Sequence, residues 1–135
     1  MSIYLKDTNG NAYGSNIAVN PDAIPDGVTF FAHDEHGIPV TCNWTLEPRG
    51  GKSAIGKGST QIAGSGPSFY GTITGATNTG FMPSISLANA MSATYVPPPT
   101  NLVSATIDCV LTATSQDGTQ ARSVYINVQK KLPLY

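Results

Sequence analysis

Apolar and polar residues alternate along much of this chain with a period of two. That spacing turns one face of a β-strand toward a core and the other toward solvent. The clearest run is Pro39 to Leu46, where Val40, Cys42, Trp44 and Leu46 fall on one face and Thr41, Asn43 and Thr45 on the other. In a second run Ala105, Ile107, Cys109, Leu111 and Ala113 share one face, opposite Thr106, Asp108, Thr112 and Thr114. Ala121 to Val128 reads as the last strand, with Val124, Ile126 and Val128 inward. Val28 to Ala32 reads as a buried strand, and Ser92 to Val96 as a short one stopped by Pro97-Pro98-Pro99. No window places apolar residues at i, i+3, i+4 and i+7 over three turns. Ile85 to Met91 alternates as well as it spirals, and one helical turn is the most it allows.

Turn chemistry divides these runs. Asn9-Gly10, within Asp7-Thr8-Asn9-Gly10-Asn11, is a strong hairpin signal, because both residues tolerate positive φ. It joins Ile3-Tyr4-Leu5-Lys6 to Ala12-Tyr13. His33-Asp34-Glu35-His36-Gly37 reads as the turn after the Val28 strand, and Ser115-Gln116-Asp117-Gly118-Thr119 as the hairpin before the last strand. Residues 20 to 27 hold too many breakers for a strand and read as a linker, so residues 1–26 are expected to form an N-terminal hairpin arm and connector. Residues 27–129 form the main domain and 130–135 a tail. Within that domain, 48–90 is expected to be an extended insertion. Nine of the fourteen glycines lie between 48 and 83, and short strands with loops between them are favoured over a structureless stretch.

Composition sharpens the picture. Only 11% of the 135 residues are charged, against roughly 25% in an ordinary domain, and the formal net charge is -1. A polybasic nucleic-acid patch or an electrostatic membrane anchor needs concentrated positive charge, which is missing here. No apolar run of membrane-spanning length occurs, and no secretory signal is read. Ser, Thr, Gly and Pro fill the space, and with the alternation they predict an all-β antiparallel sandwich.

The ordered pieces resemble the bacterial immunoglobulin-like domains found in surface adhesins and on virions of tailed phages. Pro39-Val40-Thr41-Cys42-Asn43-Trp44-Thr45-Leu46 is similar to the strand carrying that family's core tryptophan. Ala93-Thr94-Tyr95-Val96-Pro97-Pro98-Pro99-Thr100 resembles its tyrosine-then-prolines strand and loop, and Ala105 through Val128 its terminal hairpin. The resemblance spans roughly residues 26–129 without most of 48–90, and implies an immunoglobulin-like β-sandwich. It implies no disulfide, because the bridge of antibody domains joins a different strand pair across the sheets. Cys42 and Cys109 therefore read either as a bridge or as buried free thiols, with the thiols favoured.

Candidate chemistry is sparse. His33, Asp34, Glu35 and His36 could supply metal ligands, but a rigid third or fourth ligand is missing and a solvated turn explains them. The segment from Asp7 departs from a calcium loop, with Ala12 and Ala18 where Gly and Glu are required. The two histidines would have to serve any triad, and no Ser stands in a nucleophile elbow. Gly64-Ser65-Gly66 lacks a third glycine and a following helix, so no phosphate cradle is implied. No catalytic residue, metal or cofactor is nominated.

Binding is the better expectation, since aromatics on loops give large contact area at low entropic cost. Phe69, Tyr70 and Phe81 in or beside the insertion, and Tyr4 and Tyr13 on the N-terminal arm, are the candidate partner contacts. Trp44, Cys42, Cys109, Ile107 and Leu111 are assigned to the core. The expected role is a non-enzymatic structural or accessory protein of a tailed-phage virion, decorating capsid, neck or tail through protein–protein contacts. Such a protein is made in the host cytoplasm and displayed on the particle. The alternative is a carbohydrate- or receptor-binding immunoglobulin-like domain of a bacterial surface adhesin. Expected partners are other virion or surface proteins, further copies of itself, or a surface glycan, with no nucleic acid and no membrane insertion.

Overall fold

Strict alternation forces each strand to find a neighbour that covers its inward face, and two sheets do this here. The computed structural model describes residues 2–20, 23–48, 70–76, 85–97 and 106–129, with the side chains of 106, 107 and 129 excepted. The strands are β1 (Tyr4–Lys6), β2 (Asn16–Val19), β3 (Val28–His33), β4 (Cys42–Pro48), β5 (Thr72–Ile73), β6 (Ile85–Ala90), β7 (Ser92–Val96), β8 (Thr106–Ser115) and β9 (Ala121–Gln129). There is no helix among the described residues. One sheet has the order β1-β3-β7-β5 and the other β2-β9-β8-β4-β6. All pairings are antiparallel except β2 with β9, which is parallel. The protein is all-β and sandwich-like.

The inward residues of both sheets meet in one core. Phe30, Ala32, Ala93 and Tyr95 come from one side, and Trp44, Leu46, Leu111, Val124, Ile126 and Val128 from the other. Burying each large apolar side chain is worth roughly 1.5–3 kcal/mol. The polar ends of Trp44 and Tyr95 are also satisfied. Trp44 Nε1–H donates to Ala90 O at 2.9 Å and Tyr95 O–H to Tyr70 O at 2.9 Å. The second bond ties the start of the β5 segment to the middle of β7.

Several expectations change. The residues of the expected N-terminal arm supply an edge strand to each sheet. β1 pairs with β3, while β2 lies parallel on β9. Residues 12–15 make the crossing, with Tyr13 N–H donating to Leu5 O and Tyr125 N–H to Ser15 O. Physically, β2 covers what would otherwise be the open backbone edge of the last strand. Ile85 to Ala90 is a strand, not a helical turn, because its backbone pairs along β4. The tryptophan strand begins at Cys42 rather than Pro39 and runs on to Pro48. Pro39 makes an isolated bridge with His33 instead.

The cysteines lie on neighbouring strands, but Cys42 faces Ser115 and Cys109 faces Pro48. Six positions of β8 (115 − 109) separate them, roughly 20 Å at strand spacing, far beyond the ~7 Å Cα limit for a disulfide. Both are buried free thiols. Burial raises the Cys42 pKa and pushes that of Cys109 up to about 12, the Tyr95 hydroxyl offsetting this only in part.

Candidate interaction site

The C-terminal end of β3 gathers groups that the core does not use. Ala32 N–H donates to Met91 O at 2.9 Å, His33 is paired with Tyr4, and Asp34 N–H donates to Ile38 O at 2.9 Å. Three consecutive residues thus hold Met91, Tyr4 and Ile38, which are 53%, 38% and 58% exposed. Of the large hydrophobic side chains left exposed among the described residues, only Tyr125 lies elsewhere, out along β9.

Local chemistry explains each position. Met91 is the single residue between β6 and β7, where the chain leaves one sheet for the other, so neither sheet packs its side chain. Ile38 closes the turn after β3, whose geometry Asp34 fixes. The Oδ1 of Asp34 accepts from the backbone N–H groups of His36 and Ile38 at 2.8 and 3.0 Å. The Ile38 bond, the largest influence, holds the Asp34 pKa below its ordinary value against the opposing effect of desolvation, and the His36 bond adds a smaller lowering. Ser2 N–H donates to Glu35 Oε2 at 2.8 Å, which lowers the Glu35 pKa and ties the chain start to this turn.

Tyr4 is the hinge between this patch and a groove beside it. Its ring stacks on His33 with centroids 5.8 Å apart, and the Arg122 guanidinium lies 5.0 Å from its centroid. Arg122 Nε–H also donates to Ile3 O at 2.9 Å, so a residue of β9 clamps β1 across the seam between the sheets. The groove, about 190 Å³, is lined by Tyr4, Leu5, Tyr13, Gly14, Ser15 and Arg122 among others. Tyr13 forms its wall, with its O–H donating to Thr29 O at 2.9 Å and its ring 4.4 Å from that of Phe30. Burial, and secondarily the Asp7 carboxylate, raises the Tyr13 pKa.

Tyr4 and Tyr13, both expected as contacts, therefore meet at one site. Tyr70, also expected as a contact, is fully buried and belongs to the core, because the chain folds back there to accept the Tyr95 hydroxyl bond. Phe69 and Phe81 lie outside the described residues, as does the side chain of Ile107. Trp44, Cys42, Cys109 and Leu111 are fully buried. His33 and His36 do not converge on a metal site: His33 Nδ1 sits 2.8 Å from Asp34 O, and among the described residues no group of three or more His, Cys, Asp or Glu could hold an ion. Sequence reasoning missed Arg122, Ile38 and Met91. For Arg122 the signal was present. It shares parity with Val124, Ile126 and Val128, and a cation in phase with an inward face marks a strand end that leaves the core.

No family model matches this chain, and neither does any curated protein or solved structure.

Proposed function

We propose that this chain is a non-enzymatic structural or accessory protein that works through protein–protein contacts, as a decoration of a tailed-phage virion. The observation that carries the contact role is the convergence of Met91, Tyr4 and Ile38 on Ala32, His33 and Asp34. Exposed apolar residues gathered at one sheet end, next to the turn that carries Glu35 and His36, are a usual mark of a protein contact site.

The immunoglobulin-like reading draws support from strand order. In that fold one sheet runs A-B-E-D and the other G-F-C, and the orders β1-β3-β7-β5 and β9-β8-β4 match these by position. One departure stands out: β6 pairs with β4 yet follows β5 in the chain. The virion setting rests on the resemblance of the 39–46, 93–100 and 105–128 segments to domains of that kind.

Particle proteomics tests the setting. Phage particles induced from the source bacterium and banded by density should carry peptides of this chain through a high-salt wash. Their absence from particles, with the same peptides found inside a larger exported polypeptide, overturns the virion reading in favour of an adhesin domain.

A further inference from the structure

We infer that the Arg122 groove receives a carboxylate side chain of the partner protein, and that flanking apolar residues of the same partner segment cover Met91 and Ile38. This deepens the contact role proposed above and rests on it.

Two contacts hold Arg122 in place. Its Nε–H is committed to Ile3 O and its guanidinium is laid against the Tyr4 ring. The terminal amino groups have no hydrogen-bond partner among the described residues, and no carboxylate there forms an ion pair with Arg122. The result is an exposed cation whose orientation is already fixed and whose charge no carboxylate among the described residues neutralises. A guanidinium presents its donors as a planar fork that fits a carboxylate with two parallel bonds, and fixing the fork beforehand removes most of the ordering cost of binding.

The surroundings select the ligand. A volume of about 190 Å³ suits one side chain rather than an extended chain. Tyr4, the most exposed ring here, is already engaged by His33 and by the guanidinium, so it offers little free face for stacking a sugar. Tyr13 has its hydroxyl committed to Thr29 O and its ring against Phe30. Tyr4 also links the cation to His33, and the residues on either side of His33 hold the exposed Met91 and Ile38 by backbone bonds. A glutamate or aspartate between aliphatic residues is complementary to both features.

The test is an NMR titration of the full chain with the capped tripeptide Leu-Glu-Leu, and with Leu-Gln-Leu and glucuronate as comparators. Leu-Glu-Leu should shift the Arg122 Nε–H, the Tyr4 ring and the Met91 methyl saturably, at least tenfold more tightly than Leu-Gln-Leu, and less tightly as salt rises. R122Q should lose at least tenfold. R122K keeps the charge but not the fork and should lose several-fold, and an unchanged urea midpoint in both variants guards against their failing through β1. K6Q, which removes one positive charge outside the groove lining, should leave the affinity unchanged. Equal binding of the Glu and Gln peptides, or full affinity in R122K and R122Q, overturns the inference. Glucuronate binding in place of the peptide overturns it in favour of a glycan. If neither binds, yet I38D and M91D release the protein from particles, the carboxylate inference falls while the contact role stands.

Discussion

Gly27 offers a quantitative test of how tightly the sheet containing β3 and β7 is built. It precedes β3 with φ +100, and a Cβ there would stand 2.2 Å from the backbone oxygen of Tyr95 and 3.2 Å from Val96 Cα. Gly118, at the tip of the β8–β9 hairpin, has φ +77 and nothing within 4 Å of an added Cβ. Substituting alanine at either position incurs left-handed backbone strain of roughly 1–2 kcal/mol. A gain of roughly 0.4–1 kcal/mol from restricting the unfolded chain offsets part of it. Gly118→Ala should therefore cost about 1 kcal/mol. Gly27→Ala must also push β7 back by about 1 Å, although β7 is pinned between β3 and β5 and carries the fully buried Tyr95. Forced shifts of that kind add ~1–3 kcal/mol, for a total of roughly 2–4 kcal/mol out of a stability on the order of 5–15 kcal/mol. Urea unfolding followed by the fluorescence of Trp44, the chain's one tryptophan, reads the difference. With a slope of ~1–3 kcal/mol per molar urea, Gly27→Ala should unfold at a midpoint about 1 M below Gly118→Ala. Equal midpoints would refute the close approach of residue 27 to β7.

Tyr95→Phe should cost about 1–3 kcal/mol in the same assay, since it strips the bond to Tyr70 O in a closed interior; a change within a few tenths would mean that water reaches that carbonyl. Both cysteines should resist an aromatic disulfide reagent at pH 8 in the folded protein and react fully in urea. Burial keeps Cys109 protonated up to about 12 and raises Cys42 as well, so rapid labelling of the native chain would contradict this. Asp117 is held at about 2, chiefly by the Ser115 hydroxyl and then by the Thr119 N–H. A folded-state value below the unfolded ~3.9 stabilises the hairpin above pH ~4. That stabilisation is lost as pH falls toward 2, and Asp34 and Glu35 act in the same direction. Asp117→Ala should remove part of the acid-dependent shift of the Thr119 and Gln120 amides, and an unchanged titration would place the acid sensitivity elsewhere.

Part of the site was within reach of sequence reasoning one residue at a time, but its assembly was not. Tyr4 and Tyr13 stood out as aromatics beside a turn, yet their meeting depends on residues 12–15 crossing from β1 to β2. Met91 and Ile38 carry no chemical signature, and what makes them a patch is that both bond to the end of β3. Tyr70 shows the opposite failure: glycine-rich surroundings suggest a loop tip, while the Tyr95 hydroxyl draws that segment into the core.

The sequence by itself determined the strands around Trp44, Leu111 and Ile126 and which way they face. Alternation is a local property of the pleat, and Trp44, Leu46, Leu111, Val124 and Ile126 all lie inward as their spacing requires. Turns at Asp34–Gly37 and Asp117–Gly118 were equally local, written in side chains that bond their own backbone. Only the tertiary structure decided who pairs with whom. A period of two gives a strand its faces but not its neighbours. The parallel seat of β2 on β9, the split of β6 and β7 between sheets, the offset that keeps Cys42 from Cys109, and the clamp of Arg122 on β1 all follow from pairings between residues far apart in the chain. Those pairings are settled jointly, by the need to cover every inward face and every backbone edge at once.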